Sequence, residues 1–260
     1  MPRANRHFLS GHVWHITYRY HQRDFLLKFA RNRVTYLRWL FEARKRHGLC
    51  VLNYAVTSNH VHLLDLDNGT DGIAQSMQLV AGRTAQQYNQ RKARQGAFWQ
   101  DRYHATAIET DEHLHRCLVY LDLNRVRAGA VRHPSEWIHG GYQEIQNPPD
   151  RYRIVDLAVV SALCGFSDIP TFQMAHRKWV DDTLRDHATR RDDTWSSSIA
   201  VGSAEFIDQI KAALGISALH REVVESQAGH SLRQPQSTYA SYSTGENSAL
   251  RLDNTFPWEQ

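Results

Sequence analysis

Two histidines separated by a single residue stand in the stretch SNHVHLLDLD, residues 58–67. A half-buried strand directs alternate side chains to opposite faces, so His60 and His62 share one face while Val61 and Leu63 take the other. Two imidazoles in that arrangement converge on one point above the sheet, which suits a divalent metal ion. With 16 histidines in 260 residues, such a pair also arises by chance, and the pair alone leaves both interpretations open.

A polar stripe on a predicted helix is a second candidate site. In DEHLHRCLVYLDLNRVRAG, residues 111–129, a helical spacing of 100° per residue leaves one narrow polar stripe on an otherwise apolar helix. Tyr120 and Asn124 are four residues apart and therefore lie one above the other on this stripe. The other polar members are His113, Arg116 and Arg127. A tyrosine among arginine and asparagine on the only polar stripe is a better candidate for function than for the core.

A second His-x-His pair lies on the same predicted helix. His113 and His115 repeat the spacing of the first pair, but residues two apart on a helix point about 200° away from each other. They therefore cannot share a metal ion, whereas His60 and His62 can. The type of element decides between the two pairs.

The positive charge of the chain is concentrated in its first part. The net charge is only +4, yet residues 1–104 hold 16 Lys and Arg against 6 Asp and Glu, as expected of a protein that binds a polyanion. Residues 82–102, GRTAQQYNQRKARQGAFWQDR, interleave basic and aromatic side chains, as proteins that hold single strands do. The predicted DNA contacts are Arg83, Arg91, Lys92, Arg94, Trp99 and Arg102 in this segment, with Arg116 and Arg127 on the polar stripe. An ordinary solvated helix face explains any one of them equally well.

The elements that carry these residues follow the order strand–helix–strand–strand–helix–strand, and then the third helix. Their predicted extents are a strand over 12–20, a helix over 31–48 with Val34, Leu37, Leu40 and Phe41 at helical spacing and Gly48 at its end, a hairpin of two strands around Ser58 and Asn59, a helix over 71–94, a strand over 102–110, and a helix capped by Asp111. This order predicts an α+β fold, ferredoxin-like or of the RNA-recognition type. In it an antiparallel sheet carries helices on one face.

The chain after residue 146 has a different character. The segment NPPDRYR, residues 147–153, indicates a boundary. We therefore predict one α+β domain over residues 1–146, a mainly helical C-terminal region over 147–225, and a tail over 226–260. The tail is rich in Ser, Gln, Gly and Asn, so we expect it to be largely disordered.

Composition bounds the protein class. Hydrophobic residues make up 42% and charged residues 22% of the chain, as in soluble globular proteins. No apolar run approaches the ~20 residues of a membrane span, and the basic N-terminus has no signal-peptide core. Cys50, Cys117 and Cys164 lie among apolar neighbours without zinc-type spacing, which predicts reduced core residues. We expect a cytoplasmic protein without a membrane partner.

Three motifs together resemble one protein family. SNHVHLL, FWQDRYHATAI and YLDLNRVRAGAV, spread over roughly residues 1–145, are similar to the REP-associated tyrosine transposases. These are relatives of the single-tyrosine transposases of insertion sequences, within the HUH (histidine–hydrophobic–histidine) single-strand endonucleases. Family members commonly have proline directly after the asparagine, where this chain has Arg125, a residue that could add a phosphate contact instead.

The resemblance implies a ferredoxin-like catalytic domain over residues 1–146 and cleavage of single-stranded DNA beside hairpin-forming, REP-like repeats. Carried over by position, His60, His62 and Asn124 match the metal ligands, and Tyr120 matches the nucleophile that forms a 5′-phosphotyrosine. The implied cofactor is a divalent metal, Mg²⁺ or Mn²⁺, and two imidazoles with one amide favour Mn²⁺. A monomer and a homodimer both fit the sequence.

Two other functions are compatible with parts of the sequence. A non-catalytic single-strand-binding module of RRM-like fold would use Trp14, Tyr18 and Tyr20 for stacking, and it leaves the His–Asn–Tyr set unexplained. A zinc hydrolase would need a third histidine or a carboxylate and a general base, and the sequence has no HExxH motif.

Overall fold

One sheet of seven strands organises the described part of the chain. The structure is a computed structural model that describes residues 9–21, 24–186, 192–226 and 229–234. The strands are β1 Val13–Arg19, β2 Cys50–Val56, β3 His60–Leu66, β4 His104–Ile108, β5 Ala200–Gly202, β6 Glu222–Ser226 and β7 Gly229–Arg233. They lie in the order β2–β3–β1–β4–β5–β7–β6. Neighbours are antiparallel except β4 and β5, which are parallel.

Nine α-helices within these ranges surround the sheet. They are α1 Ala30–His47, α2 Gly72–Lys92, α3 Glu112–Asp122, α4 Asn124–Arg127, α5 Gly141–Gln146, α6 Leu157–Leu163, α7 Ile169–Arg185, α8 Thr194–Ser197 and α9 Ala204–Leu214. Helix α1 ends at Gly48, whose φ of 65° is a conformation that glycine adopts without strain. Within the described ranges, none of these helices is both long and apolar enough to cross a membrane.

The predicted βαββαβ order and the α+β class are confirmed, but the sheet is covered on both faces. Tyr18 of β1 stacks on Trp99, whose indole N–H donates to the Ala81 carbonyl of α2, so this face belongs to α1 and α2. Thr17 pairs with His62 across the ladder, and alternation turns both toward the opposite face, where α3 lies. The prediction of helices on one face is therefore incomplete.

The C-terminal region adds strands to the same sheet. Strand β5 pairs with β4, and the hairpin β6–β7 continues the sheet beyond it. The mainly helical prediction for residues 147–225 missed β5 and β6. The three residues of β5 are too few to show a period. The predicted disorder is wrong for residues 229–233, which form β7. Residues 235–260 of the predicted tail lie outside the described part.

Helix α3 differs from its prediction at both ends. Asp111 stands at the N-terminal position, but its side chain makes no capping hydrogen bond, and its φ is 64°. The helix predicted to run through residue 127 breaks at Leu123, where ψ is 0°, and a short α4 follows. Just before the break the buried Asp122 carboxylate accepts hydrogen bonds from His176 at 2.8 Å and from Asn53 at 3.0 Å. These bonds fasten the end of α3 to α7 and β2.

Helix α1 is rotated slightly from the predicted orientation. Val34, expected to face the core, is 56% exposed, while the preceding Arg33 is buried. Leu40 is fully buried as predicted. The three cysteines are buried and free, also as predicted.

Candidate active site

A cavity of about 320 Å³ opens on the α3 face of the sheet. Strands β1 and β3, the turn before β3, and helices α3 and α4 supply its walls. Its lining includes Arg19, His60, His62, Tyr120, Asn124 and Arg127. The histidine pair and the polar stripe of the third helix, singled out separately in the sequence, thus border one space.

The His62 ring is held by a chain of hydrogen bonds that begins at a backbone carbonyl. His15 Nδ1 lies 2.6 Å from the Trp195 carbonyl oxygen, which can only accept, so this nitrogen carries the proton. Burial lowers the pKa of His15 to about 3, so the ring is neutral and its Nε2 has a lone pair. That Nε2 lies 2.9 Å from His62 Nδ1, which therefore donates.

The consequence is a fixed tautomer of His62. Burial, and next the neighbouring charge of His60, lowers the pKa of His62 well below its usual range, so this ring is neutral too. With the proton on Nδ1, the lone pair sits on Nε2. This nitrogen faces the cavity, 3.0 Å from Asn124 Nδ2.

His60 presents the same nitrogen to the same point. Its Nδ1 lies 2.7 Å from Asn59 Oδ1, an acceptor, so Nδ1 carries a proton, and a ring with a single proton has its lone pair on Nε2. Its Nε2 lies 3.4 Å from Asn124 Nδ2. Two imidazole lone pairs therefore converge on one amide group, as the strand spacing predicts.

The convergence identifies the groups that could hold a metal ion. The Asn124 amide points its N–H donors at both lone pairs, where a cation would satisfy the same two nitrogens. Among the described residues there is no group of three His, Cys, Asp or Glu side chains that could hold a metal. The side chain that faces both histidine nitrogens is the amide of Asn124.

Tyr120 lies beside the histidine pair and against an arginine. Its side chain is buried, and its ring centre is 6.1 Å from that of His62. The Arg127 guanidinium lies 4.2 Å from the Tyr120 ring centre and donates to the Tyr120 backbone carbonyl. Tyr120, two imidazoles and a cation therefore border one cavity of about 320 Å³.

The other predicted DNA contacts lie elsewhere. Arg83, Arg91, Lys92 and Arg94 belong to α2 or the turn after it, on the other face of the sheet. The indole of Trp99 packs between Tyr18 and Tyr20, at 4.0 Å and 4.6 Å between ring centres. Arg102 is exposed before β4, and the exposed Arg116 pairs with Glu112. Only Arg127 of the eight borders the cavity.

His15 is the functional residue that the sequence reasoning missed. It stands in HVWHITYRY, residues 12–20, two residues before Thr17 on the strand face that lines the cavity. Cross-strand pairing places it opposite Leu64, diagonal to His62. The sequence feature that could have revealed it is a third histidine on the same face of the sheet. That feature can be recognised only when the β1–β3 register is known.

One family model matches part of the chain. Residues 8–122, less than half of the chain, match the family model described as "Transposase IS200 like". This part of the chain is therefore similar to the IS200-like transposases. The matched segment contains His60, His62 and Tyr120 and ends two residues before Asn124. No curated protein sequence matches the chain.

Two solved structures align with this chain. One is a REP-associated tyrosine transposase bound to a REP hairpin, at 16% identity and a TM-score of 0.47, covering 60% of this chain and 94% of that one. The other is a putative transposase from Deinococcus radiodurans R1, at 16% identity and a TM-score of 0.32, covering 49% and 97%.

Proposed function

We propose that this protein is a transposase: a metal-dependent endonuclease and strand transferase that acts on single-stranded DNA at hairpin-forming repeats. The observation that carries the proposal is the convergence of His60, His62, Asn124 and Tyr120 on one cavity. The match of residues 8–122 to a transposase family model supports DNA as the substrate, and the resemblance of the three sequence motifs supports the hairpin.

The proposed ligands of the ion are His60 Nε2, His62 Nε2 and Asn124 Oδ1. A half turn of the Asn124 amide would replace its N–H donors with the oxygen, so the donor set fits a divalent cation. When bound, Mg²⁺ or Mn²⁺ would polarise the scissile phosphate and orient it. The two imidazoles are neutral ligands of intermediate softness and favour Mn²⁺ of the two.

In the proposed reaction the Tyr120 oxygen attacks the phosphorus atom. A bond forms between that oxygen and phosphorus, the bond from phosphorus to the 3′-oxygen breaks, and the phenol proton is transferred, in net, to the leaving 3′-oxygen. The products are a 5′-phosphotyrosine and a free 3′-hydroxyl, which preserve the bond energy for rejoining. Arg127, beside Tyr120, contributes positive charge to the attacked phosphate. One chain supplies the full set, so a monomer suffices.

The direct test is a covalent adduct between the protein and DNA. The full chain would be incubated with labelled single-stranded hairpin DNA and Mn²⁺ and analysed by denaturing electrophoresis and peptide mapping. We expect an adduct on Tyr120 that Tyr120→Phe abolishes, while hairpin binding stays nearly unchanged. Tyr152→Phe is the matched control, because this tyrosine is 74% exposed and lies outside the cavity. An adduct on another tyrosine would contradict the assignment.

A non-catalytic single-strand-binding module is the alternative, and the fold gives it little support. Trp14 and Tyr20 are fully buried, and Tyr18 stacks on Trp99, so these rings offer no open platform to bases. Such a module would bind DNA without forming an adduct. A zinc hydrolase is also less supported, because the third group at the histidine pair is an amide rather than a histidine or a carboxylate.

A further inference from the structure

Two phenylalanines project from the segment between β1 and α1. The sequence motifs assign no function to this segment. Phe25 is 64% exposed and Phe29 is 58% exposed. Single exposed apolar residues are ordinary, but this short segment exposes two aromatic rings four residues apart in sequence. Phe29 stands directly before α1 as its N-cap residue, so its position is fixed by the helix.

One cation lies against Phe29, and others are close to both rings in sequence. The exposed Lys92 places its Nζ 5.9 Å from the Phe29 ring centre, and Lys28 between the rings is also exposed. Asp24 is the only acidic residue within 24–33, a range that also holds Arg31 and Arg33. Exposed aromatic rings among lysines and arginines are the pattern with which proteins hold single-stranded nucleic acid.

Two arginines continue the positive charge toward the active site. The guanidinium carbons of Arg33 and Arg125 lie 4.9 Å and 4.4 Å from the same ring centre, that of Trp137. Within the described ranges neither forms an ion pair with a carboxylate, and the Nε atom of each is buried without a hydrogen-bond partner. An anion bound at this cluster would reduce the repulsion between the two guanidinium groups.

Hydrogen bonds join these groups into one surface. Arg33 donates to the Leu27 and Lys28 carbonyl oxygens at 2.7 Å and 2.8 Å, which fixes the segment that bears the two phenylalanines. Trp137 donates to the Val56 carbonyl at 3.2 Å, at the end of β2.

The surface also borders the candidate active site. Leu27 donates through its backbone N–H to the Ser58 carbonyl, in the turn that leads to His60. Arg125 directly follows Asn124, which lines the cavity. A strand that leaves the cavity over the turn would therefore meet this surface.

We propose that the surface formed by Phe25, Lys28, Phe29, Lys92, Arg125 and Trp137 binds the single-stranded DNA that flanks the hairpin. The two phenylalanine rings stack on bases, and the cations contact backbone phosphates. This inference rests on the proposed function, because it assigns the path of the same substrate.

The test measures binding without chemistry. Fluorescence anisotropy would follow a labelled DNA hairpin with single-stranded flanks, and the same hairpin without flanks, in the presence of EDTA. We expect the double variant Phe25→Ser/Phe29→Ser to bind the flanked hairpin at least tenfold more weakly than the wild-type chain, and the flankless hairpin equally well. Arg125→Gln should reduce the slope of log affinity against log salt by about 0.7, the value for one phosphate contact on a single strand.

Matched controls remove an exposed aromatic ring or a charge elsewhere. Tyr152→Ser removes a ring that packs on Phe41, three turns along α1 from Phe29. Arg46→Gln removes an exposed guanidinium paired with Glu42. Both controls should bind flanked hairpin like the wild-type chain, and circular dichroism would check the folding of every variant.

The outcomes separate this surface from the proposed function. If the folded wild-type chain does not bind hairpin DNA at all, the proposed function is contradicted, and this inference with it. If the wild-type chain binds and the double variant binds flanked hairpin within twofold of it, only the surface is contradicted. An equal loss on flankless hairpin, or a change of oligomeric state in size-exclusion chromatography, would overturn the single-strand assignment in favour of duplex contact or self-association.

Discussion

The two His-x-His pairs of this chain share a spacing and differ in the element that carries them. On β3, His60 and His62 place their Nε2 atoms 3.4 Å and 3.0 Å from the same amide nitrogen of Asn124. On α3, His113 lies 3.3 Å from the Glu109 carboxylate, while His115 bonds to the Cys164 carbonyl and stacks on Trp179. The strand pair converges and the helix pair diverges.

The difference follows from backbone geometry alone. A strand returns to the same face every second residue, whereas a helix turns by about 200° over the same interval. The two histidines of the helix therefore make separate contacts. His113 contacts the residue that follows β4, and His115 contacts α7 and the end of α6. A short motif thus predicts a metal site only together with the element that carries it.

The largest expected effect compares the two pairs directly. His60→Ala or His62→Ala should reduce Mn²⁺-dependent cleavage of hairpin DNA by about a thousandfold, because each removes one of only two imidazole donors. His113→Ala and His115→Ala should retain activity within a few fold. Cleavage rates under single-turnover conditions measure both.

Folding must be checked for all four variants, because His113 and His115 contact neighbouring elements. Thermal melts by circular dichroism provide this control. Inactive but folded helix variants together with active strand variants would show that the metal lies elsewhere.

The same contrast explains which features the sequence could predict. The βαββαβ order follows local periods of two and 3.6 residues and is confirmed. The same periods place His60 and His62 on one face of a strand and Tyr120 on α3, whereas the break at Leu123 puts Asn124 and Arg127 on α4. What the sequence could not show depends on contacts between distant segments. Strand β5 has three residues and exists because β4 and β7 pair with it. His15 needs the β1–β3 register and the carbonyl of Trp195, 180 residues away.

Asn124 is the proposed third metal donor, and it comes from α4 rather than from the strand that carries the histidine pair. Asn124→Ala should weaken cleavage by about a hundredfold, less than the loss of an imidazole, because water can replace one oxygen donor. Asn124→Asp should retain or raise the affinity for Mn²⁺, since a carboxylate oxygen stands where the amide oxygen would bind. Calorimetry without DNA would measure the Mn²⁺ affinity of both variants and distinguish them. Equal affinity in the wild-type and alanine proteins would argue against a ligand role for this residue.

Burial of His15 makes the free energy of unfolding depend on pH. Folded His15 has a pKa of about 3, whereas an unfolded histidine has one of about 6.5. As the pH falls below 6.5, the unfolded chain gains a proton on this residue and the folded chain does not. The stability is therefore full above pH 6.5 and declines below it.

The His15 contribution can be isolated by substitution. Between pH 7.5 and about pH 5, the wild-type free energy of unfolding should fall by about 2 kcal/mol more than that of His15→Gln, which cannot titrate. Urea titrations at the two pH values, with metal removed, measure the difference. An identical fall in both proteins would mean that His15 is not held neutral by the fold.

The smallest expected effect concerns the hydrogen bond between His15 and His62. His15→Leu removes the acceptor for His62 Nδ1–H and leaves the Trp195 carbonyl without its donor, so the His62 ring loses its fixed tautomer. Loss of such an outer hydrogen bond lowers metal affinity by about tenfold. His15→Gln should restore most of this affinity, because its amide oxygen can accept from His62 while its NH₂ donates to Trp195.

Manganese binding by electron paramagnetic resonance measures the affinity. Nitrogen-15 spectra of the metal-free protein report the tautomer directly, and we expect the proton of His62 on Nδ1. A proton on Nε2 would place the lone pair toward His15, away from Asn124, and the strand pair could not then bind a metal through the two nitrogens that face the cavity.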